Sequence, residues 1–248
     1  MGVLDGKTVF VAGGAGNIGG ALVRGALRAG AARVLTCSRD TARFERLRRF
    51  VADAGFMDGD RLVTLQGDLG SMEGARAVFD AVVAQAGVPD TVMASLGGGM
   101  APATLLGTPA ATWYGVLRSN LSSHFHAAQT FLPAMVERRS GAYLVVCGHA
   151  ADTPTPEGGA VGAASAAVLM LARTLHVENR RSGVRVRPVV LITAPELWAT
   201  LQGTPGAHRG DDVGEFMARL GGGDDAGMDG EVIRYVTDWA SANAMLRA

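Results

Sequence analysis

The sequence predicts an α/β protein built on one parallel sheet with helices on both faces, and three observations carry that prediction. Short apolar runs alternate with helix-period segments along nearly all of the 248 residues. The runs are continuous in apolar residues rather than alternating apolar with polar, as in strands covered on both faces. No Pro/Ser-rich linker or charge block divides the chain, so residues 1–248 read as a single domain.

Strands are expected over 8–12, 33–37, 61–65, 91–95, 142–147, 184–192 and 231–236, which makes a seven-stranded sheet. Helices are expected between them over 18–29, 41–54, 72–86, 109–138, 160–181 and 211–220. Ser71 has the side chain of an N-cap, and Thr108 is the expected cap ahead of Pro109 at a first helical position. Strand, crossover helix and parallel strand wind right-handedly, so the alternation gives a doubly wound sheet.

Composition narrows the function. Formal charge is zero and no basic run marks a nucleic-acid or anionic-membrane partner, which leaves a small-molecule substrate or ligand. The expectation is that no apolar run reaches the ~18 residues of a membrane span and that the N-terminus lacks a signal-peptide core, hence a cytoplasmic protein. Cys37 and Cys147 fall on strands three places apart in a doubly wound order, ~14 Å at ~4.8 Å per step, too far for a disulfide. Both are expected to be inert core thiols. Lys7 is the only lysine, so arginine supplies 22 of the 23 basic residues.

The stretch TVFVAGGAGNIGGALVR, residues 8–24, is the most informative. An apolar strand runs into a turn holding Gly13, Gly14, Gly16, Asn17 and Gly19, and a helix opens at Ile18. Glycine here serves a tight turn, close approach of backbone to a pyrophosphate and close helix-to-strand packing, with the phosphate on the helix N-terminus. This is the start of a Rossmann-like dinucleotide fold. Ser38-Arg39 ends the second strand. An acidic residue there would accept from ribose hydroxyls and favour NAD(H), whereas Arg beside a small hydroxyl suits the 2′-phosphate of NADP(H). Arg39 is therefore either a phosphate ligand or a solvated surface charge. Asp68, after the third strand, either accepts from the adenine amino group or opens a helix.

On these segments the chain resembles the short-chain dehydrogenases and reductases. Gly13, Gly16 and Gly19 match the spacing of the family's extended and atypical members, with Asn17 where shorter members carry the middle glycine. Asp68-Leu69 resembles the adenine-contacting aspartate segment. Residues 113–135, WYGVLRSNLSSHFHAAQTFLPAM, are similar to the family's long fourth helix, and Asn120 falls on its catalytic, helix-kinking asparagine. Residues 183–186 and 211–235 are similar to its last third. Ser38-Arg39 points to NADP(H) in preference to NAD(H). The resemblance implies a homodimer or homotetramer through the helices over 109–138 and 160–181, whose apolar stripes are Phe125 and Leu132, and Val168, Leu171 and Leu175; the alternative is that these faces pack only on the sheet.

The resemblance breaks at the chemistry. Relatives carry a serine after the fifth strand and, thirteen residues on, Tyr-x-x-x-Lys. Here Gly148 stands on the serine, and Val161 and Ser165 stand on the tyrosine and lysine. Ala94-Ser95-Leu96-Gly97 replaces Asn-Asn-Ala-Gly, keeping Ser95 and Gly97 as cofactor candidates, and Leu191-Ile192 replaces Pro-Gly. Neither Lys7, in the lead-in to the first strand, nor Tyr114, Tyr143 or Tyr235 is placed to substitute. In relatives the tyrosine moves the alcohol proton while hydride moves at the nicotinamide. Other proton donors to weigh are His149, beside the empty serine position, then Asp152, Glu157, His124 and His126, each also readable as a satisfied or solvated group. Ser95 and Thr193 end strands where such sheets bind ligands. No metal-like spacing of His, Cys and acids occurs. Three functions follow: an oxidoreductase with a substrate or proton donor of another kind, a catalytically silent cofactor-binding partner or sensor, and a non-redox dehydratase, isomerase or cyclase.

Overall fold

The computed structural model describes residues 2–53, 55, 61–98, 103–154, 156–192, 209–224 and 232–236. Seven parallel strands form one sheet: β1 Thr8–Ala12, β2 Arg33–Ser38, β3 Leu62–Gln66, β4 Thr91–Ala94, β5 Ala142–Gly148, β6 Arg185–Ile192 and β7 Ile233–Val236. Their order across the sheet is β3-β2-β1-β4-β5-β6-β7. The direction of winding reverses between β1 and β4, which opens a crevice at the strand C-termini there.

The strands bury both faces, and residue parity assigns each side chain. Phe10, Ala12, Tyr143, Val145 and Cys147 point into one layer with α3 (Met72–Ala86), α5 (Ser123–Arg138) and α6 (Gly159–Glu178). Phe10 stacks on Phe131 at 4.6 Å between ring centroids, and Phe79 meets Phe131 edge-on at 5.1 Å. Val9, Val11, Ala142, Leu144 and Val146 point the other way, against α1 (Asn17–Arg28), α2 (Ala42–Ala52) and α7 (Arg209–Gly222). A strand period of two on a sheet covered twice explains why most strand positions are apolar instead of alternating with polar ones. Where α7 crosses α1, a side chain on Gly25 would strike the Gly214 backbone and one on Gly214 would strike the Ala21 carbonyl, so the two helices touch main chain to main chain.

Several expected boundaries change. Ser71 caps α3, its hydroxyl accepting from the Gly74 N–H at 3.2 Å. Thr108 caps nothing; its hydroxyl donates to the Thr104 carbonyl at 3.0 Å, and Pro109 itself, extended at ψ 145°, is the N-cap of α4 (Ala110–Leu117). The single helix expected over 109–138 is α4, a widened π turn over Arg118–Ser122, and α5. Leu132 and Val168, expected on outer stripes, are buried on the sheet instead, and Leu175 packs partly on the same core. Helix α6 is the one described helix long and apolar enough to cross a membrane, contrary to the expectation that no segment reaches that length. It is a crossover between β5 and β6, with Ala164, Val168, Leu169 and Ala172 buried.

Candidate functional site at the carboxyl ends of the strands

The glycine turn has no room for side chains. Gly13 adopts φ +85°, and a Cβ there would strike the Ser95 carbonyl. A Cβ on Gly14 would meet Thr36, and one on Gly19 would strike the Gly13 backbone. Thr36, which the sequence reading passed over, fixes the turn: it accepts from the Gly14 N–H at 3.0 Å and donates to the Val11 carbonyl at 2.8 Å. A lone hydroxyl inside the apolar run RVLTCS is the signal that could have found it. Gly16 is the N-cap of α1, no side chain caps the helix, and its first turn holds no acid. Asn17, Ile18 and Gly19 thus open a helix whose amides and dipole favour an anion. A turn packed so closely that Cβ atoms at Gly13, Gly14 and Gly19 would strike the protein's own atoms, ending on an uncapped helix, fits a pyrophosphate held by backbone amides.

At the ends of β2 and β3, Ser38 is tied locally, its hydroxyl donating to the Asp40 carbonyl at 2.9 Å. Arg39, 68% exposed, lies 3.9 Å from Asp68, too long for a hydrogen bond and worth little as an isolated pair. Asp68 also accepts from the Gly70 N–H at 2.8 Å and from Arg118 at 3.4 Å. Arg118 belongs to the π turn 50 residues away and escaped the sequence reading. Leu69 is a core side chain, 4% exposed, whose carbonyl contacts the His126 ring at 3.1 Å.

The loop after β4 adjoins this turn. Ser95 leaves the strand ladder, although its N–H still donates to the Ala12 carbonyl at 2.9 Å. Gly97 and Gly98 adopt φ +116° and +134°, and the Asn120 carboxamide occupies the space a Gly97 side chain would need. Asn120 is buried at the centre of the π turn, where its Nδ2 donates to the Val116 carbonyl at 3.0 Å. The Ser123 N–H reaches back five residues to the Arg118 carbonyl. The run RSNLSS supplies small polar groups that compete for backbone partners, which favours such a widening. One turn on, the His124 ring nitrogen Nε2 bonds the Leu96 carbonyl at 3.2 Å. Burial pushes its pKa down to about 4, so it is neutral near pH 7 and no proton donor there.

The positions compared with the family's acid-base group look different from one another. Gly148 is exposed, with open space where a side chain would stand. Val161 is half-buried at the edge of a small apolar cluster of Val116, Ala160 and Ala164, and Ser165 is half-buried one turn on. His149 opens a short 3-10 turn beside Gly148 and is half-buried. Asp152 is held by both Nε and a terminal nitrogen of Arg234, at 3.1 and 2.8 Å, and is not an idle acid. Glu157 is exposed on a left-handed residue, φ +58°. Tyr143 is fully buried, and desolvation holds its hydroxyl above the usual phenol range. Tyr114 is 68% exposed on α4. Thr193, the Tyr235 side chain and residues 195–208 lie outside the described residues. No group of three metal-ligating side chains occurs among the described residues.

Comparison with known proteins follows the same outline. The chain is 28% identical over 186 residues to a short chain dehydrogenase of Pseudocercospora fijiensis, covering 74% of this chain and 58% of that protein. It is 29% identical over 188 residues to an oxidoreductase of Sarocladium schorii, covering 74% and 70%. Among solved structures, a metagenomic short-chain oxidoreductase in complex with NADP superposes with a TM-score of 0.76 at 24% identity, covering 94% of this chain and 98% of that one. A short-chain oxidoreductase of Pseudomonas aeruginosa, described as containing an atypical catalytic center and solved with NADPH, gives 0.77 at 23% identity, covering 95% and 98%. The family model described as short chain dehydrogenase matches residues 7–195. With that match over most of its length, and the strand order and glycine turn above, the chain belongs to the short-chain dehydrogenase family.

Proposed function

We propose that this chain is an NADP(H)-binding oxidoreductase acting on a small molecule without a tyrosine-lysine acid pair. The observation that carries the reading is the close-packed glycine turn, which has no room for a side chain at Gly13, Gly14 or Gly19 and leads into an uncapped helix, with Arg39 at the end of β2 where a 2′-phosphate would lie. A bound nicotinamide supplies hydride transfer. The residues of this chain would then divide the remaining work. The amides after Gly16 hold the pyrophosphate, Ser38 and Arg39 read the 2′-phosphate, and Asp68 accepts from the adenine amino group. Ser95 and Gly97 wall the far half of the site next to Asn120.

At the reacting end, Gly148 offers no hydroxyl, Val161 no phenol and Ser165 no ammonium. Losing one acid-base group typically costs ~10²- to 10⁴-fold in rate. This supports a substrate that needs little acid help, such as an iminium or a conjugated alkene, with His149 or water as the proton donor. The half-buried Val161, packed on the Val116, Ala160 and Ala164 cluster where relatives carry the tyrosine, favours a second reading, a cofactor-binding member with no turnover. A homodimer or homotetramer is supported by exposed Phe125 on α5 and Met170 and Val177 on α6. A cytoplasmic setting fits the two free, buried thiols.

The test is titration with NADPH and NADH, followed by nicotinamide fluorescence and thermal shift, on the protein and its Arg39→Ala variant. The reading expects NADPH to bind more tightly than NADH and the variant to lose about tenfold for NADPH alone. Binding of neither cofactor overturns it. Binding without consumption of NADPH across iminium, enone and ketone substrates selects the silent reading.

A further inference from the structure

We infer that His124 is a positioning residue that holds the Leu96-Gly97 backbone where the nicotinamide half of the cofactor would lie; the inference rests on the cofactor reading above. The His124 ring is 2% exposed, and its Nδ1 has no hydrogen-bond partner. A carbonyl only accepts, so the contact to Leu96 puts the proton on Nε2 and leaves Nδ1 as an unmet buried acceptor. Such an acceptor is costly, and an apolar side chain would fill the same space without that cost. The ring's one bond runs to the loop after β4, not within its own helix.

Asn120 and His124 are four residues apart and share a helix face. The first fills the space beside Gly97 and the second bonds the carbonyl of the residue before it, so two consecutive loop residues are fixed from one helix. On its other side the loop touches the phosphate turn, through the Ser95 carbonyl against Gly13. It therefore bridges from the glycine turn toward the end of β5, where Gly148 leaves open space. Arg39 and Asp68 mark the adenosine end over β2 and β3. A dinucleotide laid along the strand C-termini carries its other half over β4 and β5, which is the part of the site that His124 sets.

The test separates the two halves by ligand. 2′,5′-ADP carries the adenosine and phosphate groups and lacks the nicotinamide half. In His124→Leu, NADPH binding weakens about tenfold while 2′,5′-ADP binding stays within about twofold, as loss of one well-placed hydrogen bond predicts. His124→Gln, whose amide nitrogen can reach the position of Nε2, restores most of the NADPH affinity. Gly97→Ala, which pushes the loop off Asn120, reproduces the His124→Leu pattern and serves as the test if that variant does not fold. Equal loss of both ligands, or no loss of either, overturns the positioning role. A parent protein that binds neither ligand overturns the cofactor reading itself, and this inference with it.

Discussion

Acidification should destabilise this protein through His124, and the size of the effect follows from its burial. The ring's pKa falls from 6.5 to about 4, chiefly because burial strips water from the charged form, with the Leu96 carbonyl opposing in part. The folded-state pKa is lowered, so the unfolded chain binds the proton first. The stability contributed by a neutral His124 is intact above about pH 6.5 and lost as pH falls toward about 4, with no further loss below. A full shift of that size corresponds to about 3 kcal/mol, of which about 2 kcal/mol is lost by pH 5. Urea unfolding at about pH 7, 6 and 5, on the protein and on His124→Leu, isolates the term, because all other titrating groups are common to both. With a slope of about 2–3 kcal/mol per molar urea for a chain of this size, the midpoint difference between the two should change by just under ~1 M from pH 7 to 5. Midpoints that fall in parallel would refute the assignment of the buried imidazole.

Two further outcomes test other parts of the structure. The triple variant Gly148→Ser, Val161→Tyr, Ser165→Lys restores the family's three groups. Open space at Gly148 and the half-buried places of Val161 and Ser165 allow them, so NADPH consumption with an aryl ketone should rise at least ~10²-fold; intact cofactor binding with no gain would count against the reading of the cleft. Cys37 and Cys147 are buried and their thiols pushed up to about 12 by desolvation, so a disulfide reagent at about pH 8 should report no reactive thiol until the chain is unfolded, and then both.

The parts legible in the sequence are those set by local pattern. Continuous apolar runs predicted all seven strands to within a residue or two over the described segments, because a sheet covered on both faces buries most positions of its central strands. The glycine turn was legible because close approach tolerates no other residue. The π turn was not, since helical period continues through it and only the crowding of Ser119, Asn120, Ser122 and Ser123 hints at the widening. The burial of Leu132 and Val168 was misread because α5 and α6 are apolar on more than one face, so composition alone does not say which face meets the sheet. Contacts that depend on topology were out of reach altogether. Arg118 with Asp68 spans 50 residues, Arg234 with Asp152 spans 82, and His124 with Leu96 spans 28.

The crossing of α1 and α7 has a consequence for how the chain is made. Gly25 is made before the surface it fits, Gly214, which a ribosome reaches only after 188 further residues. Until then the first helix, which carries the glycine turn at its start, lacks the partner that Gly25 fits. The packing of α1 is completed only once α7 has been made, because a domain folds as a unit. A side chain added at Gly214 in the later helix would therefore be felt 193 residues earlier, at Ala21 of the helix that carries the glycine turn.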